Sequence, residues 1–239
     1  MAEGWRGPSA REVVLSLPFT GLWLARNSPA RRVPSHGTDL MGERYAIDFI
    51  GVDERGRTAG HRDWRTFLAT EPPDRFFAFG RPILAPADGV VVAAHDGEPD
   101  HAARRSQLAL VPYMAGQLGR IRQGVAAIAG NHVIIELGES GAYAALVHLR
   151  SGSLRVAAGA RVTVGQQIAA CGNSGNSTQP HVHMQVMDSP DLSVARGVPM
   201  AFRHFRERPA GATRFLIRQT GIPGEDAVVE PLPAADVNH

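Results

Sequence analysis

Short alternations of apolar and polar residues, separated by turn residues, recur along most of this chain. A period of two is typical of half-buried β-strands. We predict a strand pair over 12–26, a strand over 45–52 and two short strands over 81–97 around the turn Asp88-Gly89. Strands over 131–138 and 142–150 are joined by a Glu-Ser-Gly turn, and strands over 159–172 and 181–186 follow. Glycine-containing turns separate them without a strand–helix–strand rhythm, so the chain is predicted to be mainly β with antiparallel pairing.

Three stretches depart from this pattern. Residues 53–80 are polar and punctuated by Gly and Pro, whereas 98–129 has the apolar spacing of short, broken helices. Residues 207–239 are rich in Pro, Ala and acidic side chains and are expected to form a tail that packs on the surface or is partly disordered. We therefore predict one β domain over 1–206, with a core of about 33–187 and insertions at about 53–80 and 98–129.

Composition and charge argue against some classes of protein, such as nucleic-acid-binding and disulfide-bonded proteins. The chain has 239 residues, 44% of them hydrophobic and 20% charged, which is ordinary for a globular domain. All 25 basic residues are arginines spread along the chain, and the net charge is +2, so a nucleic-acid surface is not expected. The single cysteine, Cys171, excludes an intrachain disulfide and follows an apolar run, which predicts a buried thiol.

No apolar run reaches the roughly 18 residues that suggest a membrane span. The segment "VVLSLPFTGLWLA", residues 13–25, is interrupted by Pro18 and by Ser and Thr. Its pattern favours a strand, a turn and another strand, and the core of a cleaved export signal is the alternative.

Two histidines one residue apart are the first candidates for chemistry. In "PHVHMQV", His181 and His183 lie on a predicted strand and therefore project to the same face, away from Val182 and Met184. Two such imidazoles can share a metal, or one can bind metal while the other transfers a proton. Two solvated surface histidines are the alternative.

A carboxylate in an apolar strand is the second candidate. Asp48, in "YAIDFIGV", shares a face with Ala46 and Ile50, and burying it is costly unless a cation pairs with it. An arginine or a metal ion could do so. His36 lies in the loop leading to this strand, so His36, Asp48 and one histidine of the pair would make a His₂Asp set. Three protein ligands leave a fourth position for water, as in catalytic zinc sites.

A third candidate is His148, in "YAALVHLR". Strict alternation places it with Leu146 and Arg150 on one face of the strand, opposite Val147. A single histidine at a strand end is commonly structural or solvated, so His148 becomes relevant only where it faces the same cleft.

Five segments of the chain follow one another in a recognisable order: His36 with "RYAIDF", then "PILAPADGVV", "GNHVIIEL", "YAALVHL" and "VTVGQQIAACGNSGNSTQPHVHMQV". In these segments and their order, the chain resembles the lysostaphin-type (LytM-like) zinc metallopeptidases, murein endopeptidases that cleave peptide bonds in bacterial peptidoglycan. The resemblance implies an antiparallel β-sheet groove, a Zn²⁺ cofactor, peptidoglycan peptides as partners and a location in the cell envelope or outside the cell.

The resemblance also implies roles for five residues. His36, Asp48 and His183 would be the zinc ligands, and His148 and His181 the catalytic pair beside the metal. We expect His148 to act as the general base and His181 to stabilise the oxyanion, with the reverse assignment open.

Several residues depart from the family's pattern. The family's aspartate usually lies a few residues after the histidine, so Asp39 is an alternative to Asp48. Val147 stands in place of Ala or Ser and is expected to matter little because it faces away from His148; Gln179 replaces a glycine at the lip of the site. Three further histidines are expected not to be ligands: His95, His101 and His132.

Two other functions stay open. The protein could be a non-catalytic binding or regulatory module that keeps the fold, or a zinc hydrolase that the insertions adapt to another peptide substrate.

Overall fold

A computed structural model of the chain describes residues 12–60, 63, 66, 69–104 and 128–233. Strands are the main regular secondary structure among these residues, and the helices are short, which confirms the predicted mainly β fold. The strands are β1 (Val13–Leu15), β2 (Trp23–Arg26), β3 (Ile47–Gly51), β4 (Pro82–Leu84), β5 (Gly89–His95), β6 (Asn131–Glu136), β7 (Tyr143–Leu149), β8 (Arg161–Val162), β9 (Gln167–Ala170), β10 (Val182–Met187), β11 (Met200–Arg208), β12 (Leu216–Gly221) and β13 (Val228–Pro231). Short 3₁₀ helices span Leu40–Tyr45, Pro73–Arg75 and Gly138–Ser140.

Within the described residues, eleven strands form one large sheet. Its order is β1-β11-β13-β2-β3-β10-β7-β6-β5-β8, and β12 also pairs with β11. Neighbours run antiparallel except β1 and β11, which are parallel. β4 and β9 form a separate two-stranded sheet. The strands that carry Asp48, His183 and His148 are therefore three consecutive neighbours: β3, β10 and β7.

Apolar side chains cluster on both faces of the large sheet, because successive side chains of a strand project to opposite faces and many at both sets of positions are apolar. Ile47, Phe49, Val182 and Met184 belong to the main core, which also includes residues of β4 and β9. A smaller cluster lies on the opposite face, where Asp48 and His183 also project; its members are Ala129, Ile134, Ala145, Val147, Met187, Leu192 and Ala195.

Strand pairing differs from the predicted local pairing at two places. β6 and β7 do form the expected hairpin. However, β1 and β2 do not pair with each other, because β1 lies beside β11 while β2 lies between β13 and β3. The strands over 81–97 also separate, since β4 pairs with β9 and β5 with β6 and β8.

The expectation of a surface tail after residue 206 is wrong for the residues described there. β11 extends to Arg208, β12 returns along it, and β13 is inserted between β11 and β2. Val228 and Val229 of β13 are buried. A run of two valines amid Pro and acidic residues is too short to show periodicity, so the long-range pairing was not visible in the sequence.

The described parts of the two insertions contact each other. Glu71 and Ala103 form an isolated antiparallel bridge, and Ala59, Phe76 and Ala103 form a small buried cluster. The helices predicted for the second insertion fall mainly on residues 105–127, outside the described part of the chain.

The sequence also predicted a buried thiol at Cys171 and showed no apolar run long enough to span a membrane. Cys171 is fully buried in the main core, and burial raises the pKa of its thiol. Among the described residues, none of the helices has the length and apolar character needed to cross a membrane.

Candidate active site

The structure brings His36, Asp48 and His183 together. Asp48 and His183 are direct partners in the pairing of β3 with β10, and His183 Nδ1 lies 2.9 Å from Asp48 Oδ1. His36, in the loop that precedes the first 3₁₀ helix, places Nε2 3.2 Å from Asp48 Oδ2. One potential ligand atom from each residue lies within 4.8 Å of the others, which is close enough for all three to contact one ion.

Asp48 is an anion held among cationic and hydrogen-bond-donating partners. Asn27 Nδ2 donates to Asp48 Oδ2 at 2.7 Å, and His181 Nε2 lies 3.7 Å from Oδ1. Burial by itself raises the pKa of the Asp48 carboxyl, but His181, His183 and His36 together outweigh burial and hold that pKa well below its ordinary value. The carboxylate is thus charged at neutral pH.

The tautomer of His183 is fixed by Gln185. Gln185 Nε2 donates to the Met41 carbonyl at 2.6 Å, so Gln185 Oε1 is left to accept from His183 Nε2 at 2.9 Å. With Nε2 donating, His183 Nδ1 faces Asp48 and must carry either a proton or a metal ion, since two lone pairs at 2.9 Å would repel. Burial lowers the pKa of His183, but the Asp48 contact more than reverses this and raises the pKa to about 9. The pair therefore requires a positive charge, and zinc with two nitrogen ligands and one oxygen ligand fits.

His148 reaches the site through an irregularity in β7. Between the pairs Asn131–Leu149 and Val133–Leu146, two residues of β7 lie opposite one residue of β6. His148, one of these two, has a left-handed backbone with φ 63°. Such a conformation costs about 1–3 kcal/mol in a non-glycine residue. The bulge turns His148 away from the core that Leu146 and Leu149 enter.

The prediction that Val147 faces away from His148 is therefore wrong. Both residues line the same cavity, because the bulge interrupts the period of two between them. His181 and His183, by contrast, do lie on the same side, as their spacing predicted.

His148 and His181 are adjacent neutral imidazoles. Their ring centroids lie 4.8 Å apart. His148 Nδ1 donates to the Ser174 carbonyl at 3.0 Å, and His181 Nδ1 donates to the Gln179 carbonyl at 2.8 Å. Each ring therefore keeps a lone pair on Nε2. Burial lowers the pKa of His181 and holds the pKa of His148 well below its ordinary value, so both can accept a proton at neutral pH.

These residues share a cavity of about 710 Å³. Its walls combine the five predicted site residues with amide, hydroxyl and apolar side chains. The lining residues are Asn27, His36, Thr38, Leu40, Met41, Glu43, Asp48, Ile128, Ala129, Val147, His148, Asn176, Thr178, His181, His183, Gln185, Leu192 and Ser193.

Asp39 and the other three histidines lie elsewhere. The exposed carboxylate of Asp39 accepts a hydrogen bond from Arg44 Nη1 at 2.6 Å. His95 stacks on His132 with ring centroids 5.3 Å apart, and His101 Nε2 lies 2.7 Å from the Gly175 carbonyl. None of these residues belongs to the His36–Asp48–His183 group in the described chain.

Sequence reasoning missed four residues that shape the site: Asn27, Glu43, Ser174 and Gln185. Gln185 carried a signal, because it lies two residues after His183 and continues the face on which both histidines project. The contacts of Asn27 with Asp48 and of Ser174 with His148 join different elements, and local patterning gives no signal for them.

The family assignment rests on the central half of the chain. Residues 74–194 match the family model of Peptidase family M23. The chain belongs to peptidase family M23. This confirms the family that the motifs predicted. The matched residues include His148, His181 and His183, whereas His36 and Asp48 precede them.

Solved structures similar to this M23 chain include three other peptidases. The catalytic domain of the antimicrobial peptidase lysostaphin from Staphylococcus simulans is 18% identical, with a TM-score of 0.37, over 67% of this chain and 80% of that one. A putative glycyl-glycine endopeptidase LytM from Ruminococcus gnavus is 15% identical, with a TM-score of 0.34, over 64% and 42%. A zinc-containing peptidase from Vibrio cholerae is 21% identical, with a TM-score of 0.31, over 59% and 46%.

Proposed function

We propose that this protein is a zinc-dependent endopeptidase that hydrolyses peptide bonds in peptidoglycan cross-bridges or stem peptides. The observation that carries the proposal is the convergence of His36, Asp48 and His183 beside two neutral imidazoles in one open cavity. Membership of family M23 supports the reaction class.

Three residues would hold the metal: His36 through Nε2, Asp48 through its carboxylate and His183 through Nδ1. Zinc bound by such a set supplies a Lewis acid and lowers the pKa of water from about 15.7 toward about 7. Gln185 would keep His183 in the tautomer that presents Nδ1 as a ligand.

The two remaining imidazoles would move protons. His148 Nε2 is suited to accept the proton of the attacking water, because the Ser174 carbonyl holds the ring proton on Nδ1. Asp48 lies 3.7 Å from His181 Nε2 and favours the protonated form of that ring. His181 is thus the better partner for the negatively charged oxygen of the transition state, in line with the roles expected from the resemblance.

The alternatives predict different measurements. A binding module would bind murein without releasing fragments, and a hydrolase of another peptide would cleave a glycine-containing peptide but not murein. The presence of all five site residues in one cavity supports catalysis over binding alone.

The test is zinc content by mass spectrometry together with fragment release from purified murein. The wild type should bind one zinc ion per chain and release fragments, His183→Ala should lose both properties, and His148→Ala should keep zinc and lose release. Full zinc and full activity in both variants would overturn the assignment. We further propose that the protein acts in the cell envelope or outside the cell, as a peptidoglycan substrate would require. Cell fractionation with an antibody would test this.

A further inference from the structure

The stretch between His36 and Asp48 forms a wall of the cavity. We call residues 37–45 the spacer loop; Leu40, Met41 and Glu43 of this loop line the cavity. We propose that Glu43 recognises a free ammonium group on the peptide substrate. This inference rests on the proposed peptidase function and specifies the substrate class of that site.

The spacer loop is held in place on the side of the sheet. Met41 and Gly42 have left-handed backbones, with φ of 57° and 79°. A Cβ added to Gly42 would lie 2.8 Å from Met187 Cγ, so the loop packs closely on β10. The Met41 carbonyl accepts from Gln185 Nε2 at 2.6 Å, which ties the loop to the side chain that orients His183.

The backbone at Glu43 is fixed as well. Its carbonyl accepts from the Ala46 amide at 3.1 Å and from Ser35 Oγ at 3.2 Å. Ser35 is the residue before His36 and Ala46 begins the approach to β3, so both ends of the loop converge on Glu43. A fixed backbone limits where the carboxylate can reach, so it can select a ligand by position, and no backbone entropy has to be lost when the ligand binds.

The Glu43 carboxylate is available to a ligand. In the described part of the chain no hydrogen bond or ion pair to this carboxylate is found, and the adjacent Arg44 is engaged by Asp39 at 2.6 Å. Among the described residues that line the cavity, the carboxylates are Glu43 and Asp48, and none is an arginine. Asp48 is already engaged by Asn27 and the histidines.

A half-buried carboxylate that no described residue contacts by a hydrogen bond or an ion pair attracts cations and repels substrate carboxylates. A primary ammonium suits it, because the group is compact and donates three hydrogen bonds. In a peptide, this ammonium can belong to the side chain of a diamino acid or to the amino terminus of a short cross-bridge. Both present the same chemistry to Glu43, and the peptides below separate them.

The test uses two short stem-type peptides, one with a side-chain ammonium and one with an N-terminal ammonium, each paired with its N-acetylated form. Zinc-loaded wild type, Glu43→Gln and the control Glu54→Gln, an exposed glutamate outside the cavity, are compared on all four. For one of the pairs, Glu43→Gln should lower kcat/KM on the ammonium peptide about tenfold and leave the acetylated peptide unchanged, as expected for loss of one charge-assisted hydrogen bond. Glu54→Gln should behave as wild type.

A binding measurement separates recognition from chemistry. On a His148→Ala background, calorimetry should show the same roughly tenfold loss of affinity for the ammonium peptide when Glu43→Gln is added. Because the charge of Glu43 also acts on His183, zinc content is measured in each variant.

An equal loss on ammonium and acetylated peptides would overturn the inference, and so would a wild type that does not distinguish the two. If the wild type cleaves none of the four peptides but still binds the ammonium forms through Glu43, the proposed peptidase function fails and the recognition by Glu43 stands.

Discussion

His183 Nε2 lies 2.9 Å from Gln185 Oε1, two residues further along the same strand. This hydrogen bond connects the side of the His183 ring that faces away from Asp48 to the spacer loop, because the amide of Gln185 also donates to the Met41 carbonyl. A side chain that is not itself a ligand thereby determines which nitrogen of a candidate ligand faces Asp48.

Replacing Gln185 should weaken zinc binding without removing a ligand. In Gln185→Leu, the His183 ring loses its Nε2 acceptor and is free to change tautomer and orientation, so we expect zinc affinity to fall about 10–100-fold. Competition with a chromogenic chelator measures this. The control is Gln219→Leu in exposed β12, which should bind zinc as wild type does. Unchanged affinity in Gln185→Leu would show that the contact does not orient a ligand.

Replacing His148 or His181 should lower the turnover rate and leave the zinc content unchanged. Each ring is expected to transfer or hold a proton at Nε2, so His148→Ala and His181→Ala should each lower kcat by about 10²–10⁴-fold while the zinc content stays that of wild type. Single-turnover cleavage of a murein peptide measures the chemical step. Loss of zinc in His148→Ala would instead make His148 a ligand.

The close approach of Gly130 to Gly175 should be needed to position His148. Gly175 has φ 67°, and a Cβ there would lie 2.4 Å from the Gly130 nitrogen, next to the Ser174 carbonyl that holds His148. Gly152 has nearly the same backbone, φ 68°, with open space around it. Gly152→Ala should cost about 1–2 kcal/mol of unfolding free energy, and Gly175→Ala about 1–3 kcal/mol more.

Urea unfolding of the two glycine variants supplies these free energies. Cleavage assays should show lowered activity in Gly175→Ala only. Equal costs for the two substitutions would mean that backbone conformation accounts for the whole effect and that the close approach contributes nothing.

Replacing Val229 tests whether residues 228–231 form a strand of the sheet or part of a surface tail. Val229 is fully buried between β11 and β2, so Val229→Ala should lower the free energy of unfolding by about 2 kcal/mol. Val194→Ala removes the same atoms from an exposed side chain and should stay within about 0.5 kcal/mol of wild type. If urea titrations gave similar, small losses of unfolding free energy for both variants, residues 228–231 would be part of a surface tail instead.

His132 should make the fold less stable in mild acid. Burial lowers the pKa of the His132 ring and is the largest effect. The hydrogen bond to the Gly130 carbonyl raises this pKa, and His95 lowers it further by a smaller amount. The unfolded chain therefore binds the proton more readily, so stability is full above a pH of about 6.5 and is lost as the pH falls through the lowered pKa. Urea midpoints between pH 7.5 and pH 5.5 should fall less steeply in His132→Gln. Parallel slopes in the two proteins would show that His132 does not contribute.

The local period of two accounts for much of what was predicted. It located the strands that carry Asp48 and His183 and placed His181 and His183 on one side, because neighbouring side chains on a regular strand must alternate. The cost of burying a lone carboxylate also drew attention to Asp48, which the structure surrounds with histidines.

The same rule failed at His148 and at β13 for different reasons. At His148 a bulge with a left-handed residue breaks the alternation, and it lies in the pairing of β7 with β6, which local patterning does not show. At β13 the strand is short, and its burial comes from β11 and β2, about 20 and 200 residues away in the sequence.

The sequence by itself determined the mainly β class, the family and the chemical character of five site residues, because these depend on local periodicity and residue type. Only the tertiary structure decided that His36, Asp48 and His183 meet, that His148 faces them, and that Glu43 and Gln185 belong to the same cavity. The contact between Asp48 and His183 spans 135 residues. Contacts between residues so far apart in the sequence depend on strand order and register, and these follow from how all the strands of the sheet pair with one another.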